Sequence, residues 1–432
     1  MKEVGEDGPE VQLNLRVRGL GNSPTVAINE RCDALRDAGR EIFKLGLGQS
    51  PFPVPPPVVE ALREHAASKD YLPVRGLPAL REAVAGYHRR THGTRCTADD
   101  VLIGPGSKEL MFLLQLTYYG DLVIPTPAWV SYAPQAQIVG RQVRFLHTRA
   151  ENGWKLTPEQ LESLCREDAG RPRIVVLNYP SNPTGSTYSA DELEALADVA
   201  RRFRVIALSD EIYAELHHRG EHVSIERFYP NGTIVSSGLS KWCGAGGWRL
   251  GTFAFPGSLR WLLVAMEAVA SETYTSTSAP IQHAAVAAFE GGLEIEEYLW
   301  RTRRILGALA AQLVARLRAT GAHVEAPDGA FYLFPDFAPL APKLRARGIG
   351  TSSQLCERLL EEAGVATLPG SAFGRPPEEL TARVAYVNFD GTRALAAAET
   401  FPLDRPIEKD FLERYCGPTL AAVEHLCTWI EG

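Results

Sequence analysis

From about residue 100, short apolar runs rich in β-branched side chains alternate with segments whose apolar residues recur every three or four positions. The runs are 101–103 (VLI), 121–125 (DLVIP), 141–146 (RQVRFL), 173–178 (RIVVLN), 204–210 (RVIALSD), 233–237 (TIVSS) and 249–255 (RLGTFAF). Between them lie SKELMFLLQLTYY, TPEQLESLCRE and SADELEALADVARRF, all with helical spacing. The alternation predicts an α/β fold, a large domain with a mostly parallel sheet flanked by helices. Ligands of such sheets gather at the carboxyl ends of the strands.

Upstream, 51–57 (PFPVPPP) lacks too many backbone donors for a helix interior or central strand and reads as an ordered loop. Helix resumes over VVEALREHAA, and again from Pro78 over PALREAVAGYHRR. Past the GlyGly of FEGGLE, a long helix is expected at about 294–318. An aromatic strand (FYLFPDF), a helix (SSQLCERLLEEAG), two more strands (VATLPG, RVAYVNF) and a final helix come after it. These make a smaller α+β domain. The division expected is 1–47 as an N-terminal part of the small domain, 48–292 as the large domain and 293–432 as the C-terminal small domain.

A chain of 432 residues has too much apolar material for one core of usual size, in keeping with two domains. Net charge is −7 with no basic block, which argues against nucleic acid, and no apolar run is long enough for a bilayer span. The acidic start is no secretory signal. The seven cysteines are scattered without a CxxC pair, so reduced thiols and a cytoplasmic location are expected. No metal site is expected: His217, His218 and His222 cluster without a completing Cys and read as a solvated loop.

The chemistry lies in the segments that end the strands. Strand 173–178 runs into NYPSNPTG (178–185), strand 204–208 into SDEIY (209–213), and strand 233–237 into SGLSKWCGAGGWRLG (237–251). Taken singly, these are a Pro/Gly turn, an Asp at a helix start and a solvated Lys. Together they place Asn182, Asp210, Tyr213, Lys241 and Arg249 at one sheet edge. IGPGSKEL (103–110) adds a strand end, a glycine turn and a helix start, a general anion site.

In these segments the sequence resembles the class I/II aminotransferases of the fold-type I pyridoxal-phosphate enzymes, the aspartate aminotransferase-like group, over roughly residues 45–390. The resemblance implies pyridoxal 5′-phosphate as cofactor, held covalently by Lys241, which also moves the substrate proton. Asp210 would pair with the ring nitrogen, Tyr213 and Asn182 with the phenolate oxygen, and Arg249 with the phosphate. Gly106, Ser107 and Lys108 match the family's phosphate cup, and Trp129 matches the aromatic that covers the ring; core packing is its plainer use. Many members carry a Ser where this chain has Gly238, and Ser240 or Ser237 is the expected replacement donor. Tyr71 matches a residue that reaches the phosphate of the neighbouring subunit, which implies a homodimer. Arg383 matches the Arg that binds the substrate carboxylate, and Gly48 the loop that closes over it. Phe331 and Tyr332 are expected near the mouth.

The implied activity is transfer of an amino group between an L-amino acid and a 2-oxo acid by a ping-pong mechanism, in amino-acid metabolism. Residues 261–282 contain no Arg, so the simplest two-Arg recognition of a dicarboxylate is absent, and Lys108 and Arg75 are the other cations placed near the mouth. Two rival readings remain open: a lyase, decarboxylase or oxidase on the same cofactor, and a non-catalytic effector-sensing domain.

Overall fold

Seven strands form one sheet in the order Val101–Gly104, Gly251–Ala254, Thr233–Gly238, Ile206–Asp210, Arg173–Asn178, Asp121–Thr126 and Val143–His147. Only Gly251–Ala254 runs antiparallel to its neighbours. The computed structural model describes residues 12–402 and 404–432.

Alternate strand residues enter separate cores. Leu102, Ile124, Ile174, Leu208 and Phe253 pack with the helices Ser107–Thr117 and Arg260–Glu272. Val123, Val175, Leu177 and Ala207 face Pro158–Glu167 and Ala190–Arg202. A sheet covered on both sides needs apolar residues at every position, which is why its strands read as unbroken apolar runs. The helices begin where short polar side chains satisfy their free donors. Thr157 with Gln160, Ser189 with Glu192 and Thr351 with Gln354 form reciprocal capping boxes.

The remaining chain packs alongside. Leu368–Pro369, Ala382–Ala385 and Tyr332–Leu333 form a three-stranded antiparallel sheet. Beside it lie the long helix Leu293–Ala319 and the helix Ser352–Ala363. Phe43–Lys44, near the start of the chain, pairs in parallel with Val365–Ala366. Cys32 and Ile42 share a small core with Leu360 and Ala366. The tail forms Lys409–Tyr415 and Gly417–Glu431, with Arg316 of the long helix 2.7 Å from both Glu424 and Glu431.

Three expectations need correction. The proline run does not stay a loop to residue 57, because Pro56 opens the helix Pro56–His65. First-turn residues have no intrahelical acceptor to lose, so proline is tolerated there. The aromatic strand is only Tyr332–Leu333, and Pro335 lacks the donor to extend its ladder. The histidines are not solvated: His217 is 2% exposed, and His222 bonds Glu211 at 2.8 Å. The seven cysteines are free and buried. Among the described residues no helix is long and apolar enough to cross a membrane.

Candidate active site

The register of the sheet explains the gathering of polar residues. Asn178 lies opposite Asp210, Asp210 opposite Ser236, and Gly251 opposite both Gly238 and Gly104. The turns after these residues therefore share one edge. Ser107, Lys108, Trp129, Asn182, Asp210, Tyr213, Ser240, Lys241 and Arg249 line a cavity of about 390 Å³ there. All nine were singled out in the sequence.

Asp210 is 3% exposed and ends its strand at the cavity. Its Oδ2 accepts from the Tyr132 hydroxyl at 2.5 Å, and its Oδ1 has no hydrogen-bond partner. Burial pushes its carboxyl up to about 6, against the pull of the Tyr132 hydroxyl. Lys241 donates to the Gly48 carbonyl at 2.7 Å. Desolvation lowers its ammonium to about 8, and the nearby charges of Arg383 and Arg249 act in the same direction. The Tyr213 and Tyr332 hydroxyls meet at 2.7 Å.

Arg249 and Gly106 are packed together. Gly106 has φ +93°, and a Cβ there would lie 2.2 Å from an Arg249 guanidinium nitrogen. Glycine at that position lets the guanidinium approach the start of the helix Ser107–Thr117, whose first backbone donors are free. The Lys108 ammonium sits 5.2 Å from the Trp129 ring centre. Three cationic side chains (Lys108, Lys241 and Arg249) thus face one carboxylate in the cavity wall.

Arg383 lies behind the wall, 1% exposed. It donates to Asn182 Oδ1 at 3.1 Å and to the Gly46 carbonyl, while its Nε has no partner. Because Asn182 gives its oxygen to Arg383, its amide donors stay free. Gly48 is required by close approach, since a Cβ would fall 1.9 Å from the Tyr332 hydroxyl. Phe331 and Tyr332 are fully buried against Tyr213.

Two residues lie elsewhere. Tyr71 is 90% exposed, away from the cavity of its own chain. Arg75 is held 2.6 Å from Glu267. The sequence reading also missed two residues. Asn178 carries both a donor to the Asp210 carbonyl (2.9 Å) and an acceptor for the Asn182 N–H (2.7 Å), so it ties two strand ends together. Tyr132 opens the helix Tyr132–Val139, three residues after Trp129. Tyr132→Phe should destabilise the fold by about 1–3 kcal/mol, because it leaves a buried acceptor without its donor; denaturant titration of both proteins measures this.

Residues 40–397 match the family described as aminotransferase class I and II. An aspartate aminotransferase of Geobacillus stearothermophilus is 35% identical over 376 residues, 85% of this chain and 93% of that protein. An asparagine–oxo-acid transaminase of Streptococcus mutans is 32% identical over 84% of this chain and 93% of its own length. The structure of a Thermus thermophilus aspartate aminotransferase with maleate superposes with a TM-score of 0.82 at 30% identity, covering 97% of this chain and all of that one.

Proposed function

The chain belongs to the class I and II aminotransferases, and from that premise we propose that it uses pyridoxal 5′-phosphate to move the amino group of an acidic L-amino acid to a 2-oxo acid by a ping-pong mechanism. The single observation that carries the cofactor reading is the unpartnered Oδ1 of Asp210. A buried carboxylate oxygen without a donor fits a cationic ring nitrogen. The rest of the donor set agrees. Lys241 offers the amine for the aldehyde, Asn182 and Tyr213 offer donors for the phenolate oxygen, and Arg249, Ser107, Ser240 and the backbone beyond Gly106 offer donors for the phosphate.

Bound there, pyridoxal phosphate supplies an electron-accepting ring that takes up the pair left when the substrate's α-proton departs. Asp210 keeps the ring nitrogen protonated by its charge. Lys241 would hold the cofactor's aldehyde and would serve as the base that takes and returns the substrate's α-proton. Arg383 fixes the substrate carboxylate through two donors and so orients the bond that breaks. Trp129, in the cavity wall, would shield the bound ring from water.

The acidic substrate is favoured by relatives named as aspartate aminotransferases and by the excess of cations in the cavity wall, where Lys108 would meet a second carboxylate. Family and relatives favour transfer over the lyase, decarboxylase, oxidase and effector-sensing alternatives. A panel of amino acids tested for loss of the cofactor's visible absorbance decides the donor. Full conversion by aspartate or glutamate, reversed by 2-oxoglutarate, supports the reading; conversion only by neutral donors removes the acidic part of it.

We also propose that the enzyme is a cytoplasmic homodimer in which Tyr71 reaches the partner's phosphate, supported by the exposure of that side chain. Tyr71→Phe should weaken cofactor retention about tenfold, the cost of one hydrogen bond to a charged group. Equilibrium dialysis measures it, and sedimentation tests the dimer.

Lys241 also imposes a pH dependence. Only its deprotonated amine attacks an aldehyde, and its lowered value leaves roughly a tenth of it free at neutral pH. Uptake of pyridoxal phosphate by the apoprotein should therefore rise with pH and level off above about 8, as stopped-flow absorbance will record.

A further inference from the structure

A second cluster of ionisable groups lies behind the sheet edge, outside the cavity just described. His92 closes the helix Pro78–His92, Glu211 comes directly after Asp210 at the end of its strand, and His222 lies in the segment beyond. Their side chains are 4%, 1% and 7% exposed. Glu211 Oε2 is 2.8 Å from His222 Nε2 and 3.5 Å from His92 Nε2, and the three atoms lie within 4.8 Å of one another.

We propose that His92, Glu211 and His222 form a binding site for a divalent transition-metal ion of the zinc class. Two imidazole nitrogens and one carboxylate oxygen are a donor set that such ions take. Ligand bonds of about 2.05 Å in a tetrahedron put ligand atoms roughly 3.3 Å apart. The His92–Glu211 separation already meets that figure, and the His222–Glu211 separation has to open by about half an ångström.

The groups around Glu211 and His92 hold these two as metal ligands are usually held. Glu211 Oε1 accepts from Ser209 (2.7 Å) and Ser224 (2.5 Å), which locks the carboxylate and leaves Oε2 for the ion. Glu226 Oε2 lies 3.7 Å from His92 Nδ1 and has no hydrogen-bond partner of its own. A metal on His92 Nε2 makes Nδ1 the N–H that faces this carboxylate, the carboxylate–histidine–metal arrangement. His222 stacks on Tyr179, with ring centres 5.3 Å apart.

Charge points the same way. Glu211 faces both His92 and His222 and Glu226 faces His92, so two buried carboxylates meet two imidazoles, and a dication would balance that charge with both rings neutral. A cavity of about 440 Å³ lined by Glu226, Asp100 and Cys96 reaches His92, the first of the three ligands. Sequence pattern hid the site because its ligands come from three separate segments. An ion there ties the end of the helix Pro78–His92 to the strand that carries Asp210.

The test uses the purified full-length protein, stripped with a chelator and titrated with Zn²⁺ against a chromophoric competitor. Uptake of one equivalent per chain is expected, together with a rise in thermal midpoint and, with Co²⁺, the intense visible absorbance of tetrahedral coordination. His92→Asn and His222→Gln should each remove the high-affinity equivalent. Glu226→Gln should weaken it about tenfold to a hundredfold, as expected of a group that orients a ligand. X-ray absorption on the zinc-loaded native protein should show two imidazoles and no sulfur, a readout that stands even if the variants do not fold. No uptake by the native protein, uptake unchanged in both histidine variants, or a sulfur-containing shell would each overturn the proposal.

Discussion

Lys241→Ala is expected to keep its fold and to lose transamination by more than about 10⁴-fold, because on the proposed mechanism one substitution removes both the covalent attachment of the cofactor and the base that moves the proton. Other substitutions in the cavity remove one service each, so none should match it. The side chain lies over Tyr213 and bonds the Gly48 carbonyl, and Ala leaves both neighbours in place. Stability should therefore change little, while the visible absorbance of bound cofactor at its attachment point disappears. Added methylamine should restore a small part of the proton transfer, since a free amine can enter the space vacated. A variant that keeps native turnover would end the assignment.

Asp210→Asn gives the second-largest loss, expected at roughly 10²–10³ in kcat, the usual cost of removing one preorganised electrostatic contact. Asn keeps the shape and still accepts from Tyr132, but it cannot hold a cation on the cofactor ring. The loss should fall on the half-reaction with amino acid, measured in single turnover, and little on substrate binding. Folding stability should hold or rise, because the native carboxylate is buried with one oxygen unpartnered. The two readouts separate a catalytic charge from a structural one. Were Asp210 a structural residue, stability would fall and the rate would not.

Most of the cavity wall was legible in the sequence because a parallel sheet delivers its strand ends to one edge, and three of those ends carry recognisable segments. Asn182, Asp210 and Lys241 needed only the strand boundaries to be placed. Tyr132 did not show, because its role depends on the direction in which one helix aims a side chain toward a strand far along the chain. His92 and Glu211 escaped for the same reason: they are 119 positions apart by number and meet only in the folded chain. The start of the helix at Pro56 was misjudged because a proline run reads as interruption, yet its last members occupy positions where a missing donor costs nothing.

The Arg383 guanidinium bonds the carbonyl of Gly46, 337 residues earlier, and Phe43–Lys44 pairs with Val365–Ala366. A polypeptide emerging from the ribosome accordingly carries Gly46 and Phe43–Lys44 long before their partners Arg383 and Val365–Ala366 exist. Val235 and Trp242 of the large sheet's surroundings share one core with Val384, Tyr386 and Leu395, so the cavity wall is finished only when almost the whole chain has been made.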